Sequence, residues 1–139
     1  MKNQTESKGR VFLLSAAVSG FTCIALGAFG AHALKNHLSV DAQAIWQTAV
    51  QYQMFQTLAL FGVALLLSRQ PALTSGRSLL NAVAYLFLLG IVLFCGSLYT
   101  LAVSGVSWLG AITPLGGLCF LAAWALLFVY AVRMTPVSE

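Results

Sequence analysis

Charge is what this sequence has least of. Only 7% of its 139 residues are charged, against about 25% for a soluble domain that must cover its surface. Water therefore cannot be its main solvent. The three acidic residues, Glu6, Asp41 and Glu139, all fall outside the long apolar runs, which weighs against proton-coupled export, where ionisable groups sit inside spans. Cys23, Cys95 and Cys119 each lie within an apolar run, without a C-x-x-C pair or a histidine at ligand spacing. They read as small packing residues, and no metal or other cofactor is expected. The two histidines, His32 and His37, are five residues apart and do not share a helical face. Paired carboxylates and a recognisable Ser or Cys nucleophile motif are missing too, so no catalytic residue is assigned and no enzyme is expected.

What the chain has instead is apolar length: 60% of it is hydrophobic. A spanning helix needs roughly 20 mostly apolar residues to cross about 30 Å of hydrocarbon. Four such runs succeed one another, at about 11–34, 44–67, 79–103 and 113–132. The fold class expected is all-α, a single integral membrane bundle of four transmembrane helices occupying 1–139. The first run is too long for the roughly 7 to 15 apolar residues of a secretory signal, so it reads as an uncleaved helix. Thr22 precedes Cys23, which argues against a lipoprotein site. Ser68-Arg69-Gln70-Pro71 marks the end of the second helix, because proline removes a donor. Thr113 and Pro114 are expected as N-cap and first helical residue of the fourth.

The net charge of +4 does not form a nucleic-acid stripe, because the basic residues are scattered among helix ends. Lys2, Lys8, Arg10, Arg69, Arg77 and Arg133 fall on one side of the four-span topology and Lys35 alone on the other. The positive-inside rule then places both chain ends in the cytoplasm, and so strong a bias argues against dual-topology insertion.

Two stretches depart from plain lipid-facing sequence. In the first helix Ser15, Ser19, Cys23, Gly27 and Ala31 recur at four-residue spacing, with Gly30 nearby. Small residues on one face let helix backbones approach where lipid gives little hydrophobic drive. Ser19, Cys23, Gly27 and Gly30 are the candidate helix-packing positions. In the second helix Gln47, Thr48, Gln51, Tyr52, Gln53, Gln56 and Thr57 crowd the first half. Unpaired amides are costly in hydrocarbon, so Tyr52, Gln53 and Gln56 are expected to turn inward. There they would form a polar cluster in the outer half of the bundle with His32, Ser97, Tyr99 and Thr100. The cluster reads as interhelical glue or, alternatively, as a site for a solute, lipid headgroup or cofactor.

The motifs Gly27-Ala28-Phe29-Gly30-Ala31-His32, Tyr52-Gln53, Thr57-Leu58-Ala59, Gly96-Ser97-Leu98-Tyr99 and Thr113-Pro114-Leu115-Gly116-Gly117, with Trp124, occur together and in order. Over about Phe12 to Arg133 the chain resembles domain-of-unknown-function family 423, small bacterial inner-membrane proteins with eukaryotic relatives called transmembrane protein 256. The resemblance implies four transmembrane helices in the bacterial inner membrane and brings no biochemical activity. One departure stands out. The family pattern is Tyr-Gln-x-x-His, and this chain has Gln56 at the last position, which can hydrogen-bond but cannot change charge near neutral pH.

The function expected is that of a non-catalytic packing or accessory subunit. Its partners would be membrane lipid and either itself, as an oligomer, or a larger membrane complex, with no nucleic acid. The alternative is a channel or carrier for a small neutral or anionic solute, which needs a wet path past Gln53 and Asn81. The orientation is testable by cysteine labelling in intact cells. An impermeant reagent should reach the thiol of Asn36→Cys and not that of Ser75→Cys, and the reverse pattern would overturn the positive-inside assignment.

Overall fold

A computed structural model of the chain describes residues 2–70 and 74–134, with side chains described for 8–70 and 74–134. The break assigned to Pro71 and both chain ends lie outside the described residues. Helix α1 runs Lys2–His32 and α2 Val40–Arg69. Helix α3, Ser75–Gly90, passes through a π-helical turn, Ile91–Cys95, into α4, Gly96–Ser104. A 3-10 turn, Ser107–Ala111, leads into α5, Thr113–Arg133. Four stretches are long and apolar enough to cross a membrane: Lys8–His32, Val40–Arg69, Ser75–Ser104 and Ser107–Arg133. The chain is thus an all-α, four-span bundle, with no strand among the described residues.

Helices α1, α2 and α3 each begin before the expected 11, 44 and 79, and Thr113 differs in its role at the start of α5. Helix α2 begins at Val40 because the Ser39 hydroxyl accepts the Ala42 N–H at 3.2 Å and Asp41 sits in the first turn, where the helix dipole favours negative charge. The connection expected over 35–42 is therefore shorter than the charge pattern suggests. Thr113 is not an N-cap. It is already helical, the residue before it makes no side-chain cap, and its hydroxyl is engaged with Ser97 at 2.7 Å.

Helix α2 is the hub of the packing. It lies against α1 on one side and against α3, the π turn and α4 on the other, while α5 packs chiefly on α3 and the π turn. The half of the bundle nearest Lys8, Arg69 and Arg77 is filled by Phe12, Leu60, Leu67, Leu80, Val83 and Phe87, none more than 1% exposed. We refer to this as the basic end. Outward, the helices present large apolar side chains such as Phe21, Ile24, Leu58 and Phe128, as expected of surfaces whose solvent is lipid.

Arg77 is a buried exception at the basic end, 5% exposed. Its guanidinium donates to the carbonyls of Leu67 at 2.7 Å and Gln70 at 3.0 Å. A cation on the last carbonyls of α2 satisfies acceptors that have no intrahelical donor and opposes the negative end of the helix dipole. From the sequence alone Arg77 serves only as an orientation marker.

The Gly116-Gly117 pair shows how close the backbones come. A Cβ on Gly116 would overlap the backbone of Phe94 in the π turn, whereas one on Gly117 would meet only the Phe94 ring, at 3.9 Å. Only glycine lets α5 lie on that turn. Gly116→Ala should therefore lower unfolding stability in detergent by about 1–3 kcal/mol, the usual cost of overpacking, while Gly117→Ala should leave it unchanged or slightly raised. Equal thermal shifts for the two variants would contradict the contact.

Candidate functional site: a polar seam across the bundle

The polar side chains of α2 are directed at three different helices. Toward α1, the Gln53 amide nitrogen donates to the Ser19 carbonyl at 3.0 Å and the Thr22 hydroxyl at 3.1 Å, and lies 3.4 Å from the Ser19 hydroxyl. The hydroxyls of Ser19 and Thr57 share a hydrogen bond of 2.6 Å. Further along the same contact the Cys23 thiol donates to the Val50 carbonyl at 3.4 Å and the Trp46 indole N–H to the Leu26 carbonyl at 3.0 Å. Toward α4, the Gln53 oxygen accepts the Tyr99 hydroxyl at 2.8 Å. Toward α5, the Gln56 oxygen accepts the Trp124 indole N–H at 3.1 Å. One helix thus reaches the other three spans through side chains at 53, 56 and 57, all on one face because they recur at helical spacing.

These residues sit deep. Gln53, Gln56 and Thr57 are 5–6% exposed and lie near the midpoint of the 30-residue α2. The sequence points to a cluster in the outer half of the bundle, and along α2 these three side chains lie near the middle of the helix. An amide there has no water to return to, and each of its unmet bonds would be costly. Gln53 uses both its oxygen and its nitrogen on protein. The cluster is consequently a set of crosslinks with little spare hydrogen-bonding capacity at its centre.

Not every residue expected here belongs to it. Tyr52 is 44% exposed, and its ring lies 4.5 Å from that of Phe94 and 6.4 Å from that of Phe120, centroid to centroid. It lays its ring against aromatics at the flank of α2 instead of turning inward. Thr100 is exposed and donates to the Gly96 carbonyl of its own helix at 2.8 Å, a local bond that removes its need for another helix. His32 is exposed at the last residue of α1. Ser97 is buried but joins a separate contact, with Thr113 at 2.7 Å and the Phe94 carbonyl at 3.0 Å. The residues missed by sequence reasoning are Thr22, Thr57 as a direct partner of Ser19, Trp46 and Trp124. An indole N–H inside a span was the available signal for the last two, since it needs an acceptor when buried.

Of the four packing candidates, Ser19 and Cys23 are buried against α2, bonded to Thr57 and to the Val50 carbonyl. Gly27 is only partly covered, and a Cβ there would meet Val50 at an ordinary 3.4 Å. Gly30 is the tight position, because a Cβ on it would overlap the Trp46 indole. Its glycine is what lets that ring lie across α1 and reach the Leu26 carbonyl. Ala31 at the end of the proposed stripe is exposed. Among the described residues no group of three or more His, Cys, Asp or Glu is placed to hold a metal ion.

Comparison with known proteins agrees with this architecture. The family described as protein of unknown function (DUF423) matches residues 26–117, well over half of the chain. The chain belongs to this family. It is 42% identical to the UPF0382 membrane protein YwdK of Bacillus subtilis over 89% of this chain and 98% of that protein. It is also 42% identical to the UPF0382 inner membrane protein YgdD of Escherichia coli K12, over 90% of this chain and 92% of that one. A third relative, the UPF0382 membrane protein SSP2132 of Staphylococcus saprophyticus, is 37% identical over 86% of this chain and 95% of that protein. No solved structure matches. The chain is a multi-pass protein of the bacterial inner membrane, from a family whose function is unknown and with nothing that points to catalysis.

The seam makes a direct energetic prediction. Gln53→Leu and Tyr99→Phe should each destabilise the bundle, and the double variant should lose less than the sum of the two. The expected coupling is about 0.6 kcal/mol and at most about 1.7 kcal/mol, the range for hydrogen bonds between membrane helices. Fully additive losses in reversible detergent unfolding would mean that the Tyr99–Gln53 bond carries no energy.

Proposed function

We propose that this protein is a non-catalytic structural component of a membrane assembly, working as an oligomer or as an accessory subunit of a larger complex. One observation carries the reading: the polar groups of Gln53, the best candidate for a solute site, are bonded to α1 and α4 within a packed interior. A conduit past Gln53 and Asn81 would have to cross the layer formed by Leu60, Val63, Ala64, Val83, Ala84 and Phe87. None of those side chains is more than 1% exposed. That packing favours the structural role over the channel or carrier, which needs a continuous polar or hydrated path.

The reading is also supported by the rigidity such crosslinks confer and by the chemistry that is missing. No nucleophile–base pair or carboxylate pair has been identified in the site. Helix α1, packed on α2 alone for most of its length, leaves Val18, Phe21 and Ile24 at 63–77% exposure. Purification from native membranes in a mild detergent should yield the chain in a species larger than one copy plus its detergent belt, of fixed composition. A protein that elutes only as a single copy, and that mediates flux of a neutral or anionic solute when reconstituted in liposomes, would replace this reading with the carrier.

A further inference from the structure

At the basic end of the bundle a cavity of about 270 Å³ opens between the first turn of α3 and the last turn of α5. Its walls include Gln70, Thr74, Ser75, Gly76, Tyr130 and Arg133, with Leu79 and Met134 completing an apolar side. Its depth is defined by the chain itself, because Gln70 comes just after the end of one span, Ser75 begins another and Arg133 ends a third. The cavity therefore lies where headgroups lie, and its volume falls just below the about 300–1,000 Å³ of sites that enclose a whole small molecule.

The polar walls are held in place from behind. The Gln70 amide donates to the Tyr130 hydroxyl at 2.6 Å, and the Thr74 hydroxyl lies 3.4 Å from the Gln70 side-chain oxygen. The Arg77 guanidinium fixes the backbone of Gln70 through its carbonyl at 3.0 Å. In front of these, Arg133 is exposed at the rim. The one carboxylate among the described side chains, Asp41, is in the first turn of α2 and so at the opposite end of the bundle. The rim thus combines a guanidinium and the Ser75 hydroxyl at the start of α3, where Thr74 caps the Arg77 amide, with no acid beside them among the described side chains.

We infer that this cavity binds the phosphodiester headgroup of an anionic phospholipid, with the phosphate at Arg133 and Ser75 and the glycerol portion against Tyr130 and Leu79. A guanidinium matches phosphate oxygens with paired donors. Basic pockets between membrane helices at the interface are a recurrent setting for anionic headgroups. A lipid fits better than a free phosphate because Leu79, one turn further into α3 than Ser75, gives the cavity an apolar wall on the side toward the acyl chains. The site is separate from the polar seam and does not depend on the structural role proposed above.

Native mass spectrometry of the full chain, delipidated and then exposed to phosphatidylglycerol or phosphatidylcholine, tests the inference. The wild-type chain should retain phosphatidylglycerol in preference to phosphatidylcholine. Arg133→Gln should lower that retention about fivefold, the effect of removing one basic contact near an anionic surface. Ser75→Asp should lower it as well, although an acid in the first turn favours α3 itself, so loss of binding is separated from loss of folding. Lys8→Gln, on α1 and outside the cavity wall, should bind as the wild type does. Equal retention of the two lipids would mean that headgroup charge is not recognised, and equal losses for Lys8→Gln and Arg133→Gln would reduce the effect to diffuse surface charge; either result would overturn the site. Displacement of the lipid by millimolar inorganic phosphate, with the same thermal stabilisation from phosphate alone, would overturn the lipid assignment in favour of a free anion.

Discussion

A side-chain amide placed in hydrocarbon must find its hydrogen bonds within the protein, and the rest of this bundle depends on how Gln53 does so. Its nitrogen reaches α1 and its oxygen receives a hydroxyl from α4. Its neighbours on the same face, Gln56 and Thr57, tie α2 to α5 and again to α1. Lipid tails are as apolar as leucine, so burial alone gives little reason for these helices to associate. Polar contacts that have no aqueous alternative, and backbones that approach through glycine, supply the reason instead. Both occur at the same junctions: Gly30 under the Trp46 indole on the α1 side, and Gly116 on the π turn on the α5 side.

The bundle is accordingly built in two layers. The basic half is a packed apolar core of Phe12, Leu60, Leu67, Leu80, Val83 and Phe87, closed at its end by Arg77 on the carbonyls of α2. The middle and the opposite half hold the polar seam, and there the helix formed by α3 and α4 takes a π turn. A turn of this kind adds a residue to the helical ladder and rotates the side chains beyond it around the helix axis. Here it precedes Ser97 and Tyr99, the two residues that reach Thr113 and Gln53. Such an arrangement favours a fixed shape over a moving one, in keeping with the structural role proposed above.

Much of the architecture was legible in the sequence because a bilayer imposes a length and a composition that few residues can disguise. The four spans and the polar character of α2 are evident from hydropathy and from the density of Gln and Thr between 47 and 57. What the sequence could not reveal is which polar groups need a distant partner. Thr100 looked equivalent to Ser97, yet its hydroxyl returns to its own helix, as those of Ser15 and Thr48 do. Tyr52, one residue from Gln53, is turned by about 100° around the helix and packs its ring on Phe94. Arg77 caps α2 across the connection between two successive helices, and the π turn at Ile91–Cys95 lies where α5 packs. No local pattern announces either.

The bundle as described holds the Gln53 amide through protein groups alone. Side-chain amide exchange, measured by nuclear magnetic resonance on the glutamine-labelled protein in lipid bilayers, tests this most directly, with exposed Gln47 as the internal reference. The Gln53 amide protons should exchange far more slowly than those of Gln47. Exchange at the same rate as Gln47 would contradict it, because it would place water at the centre of the seam.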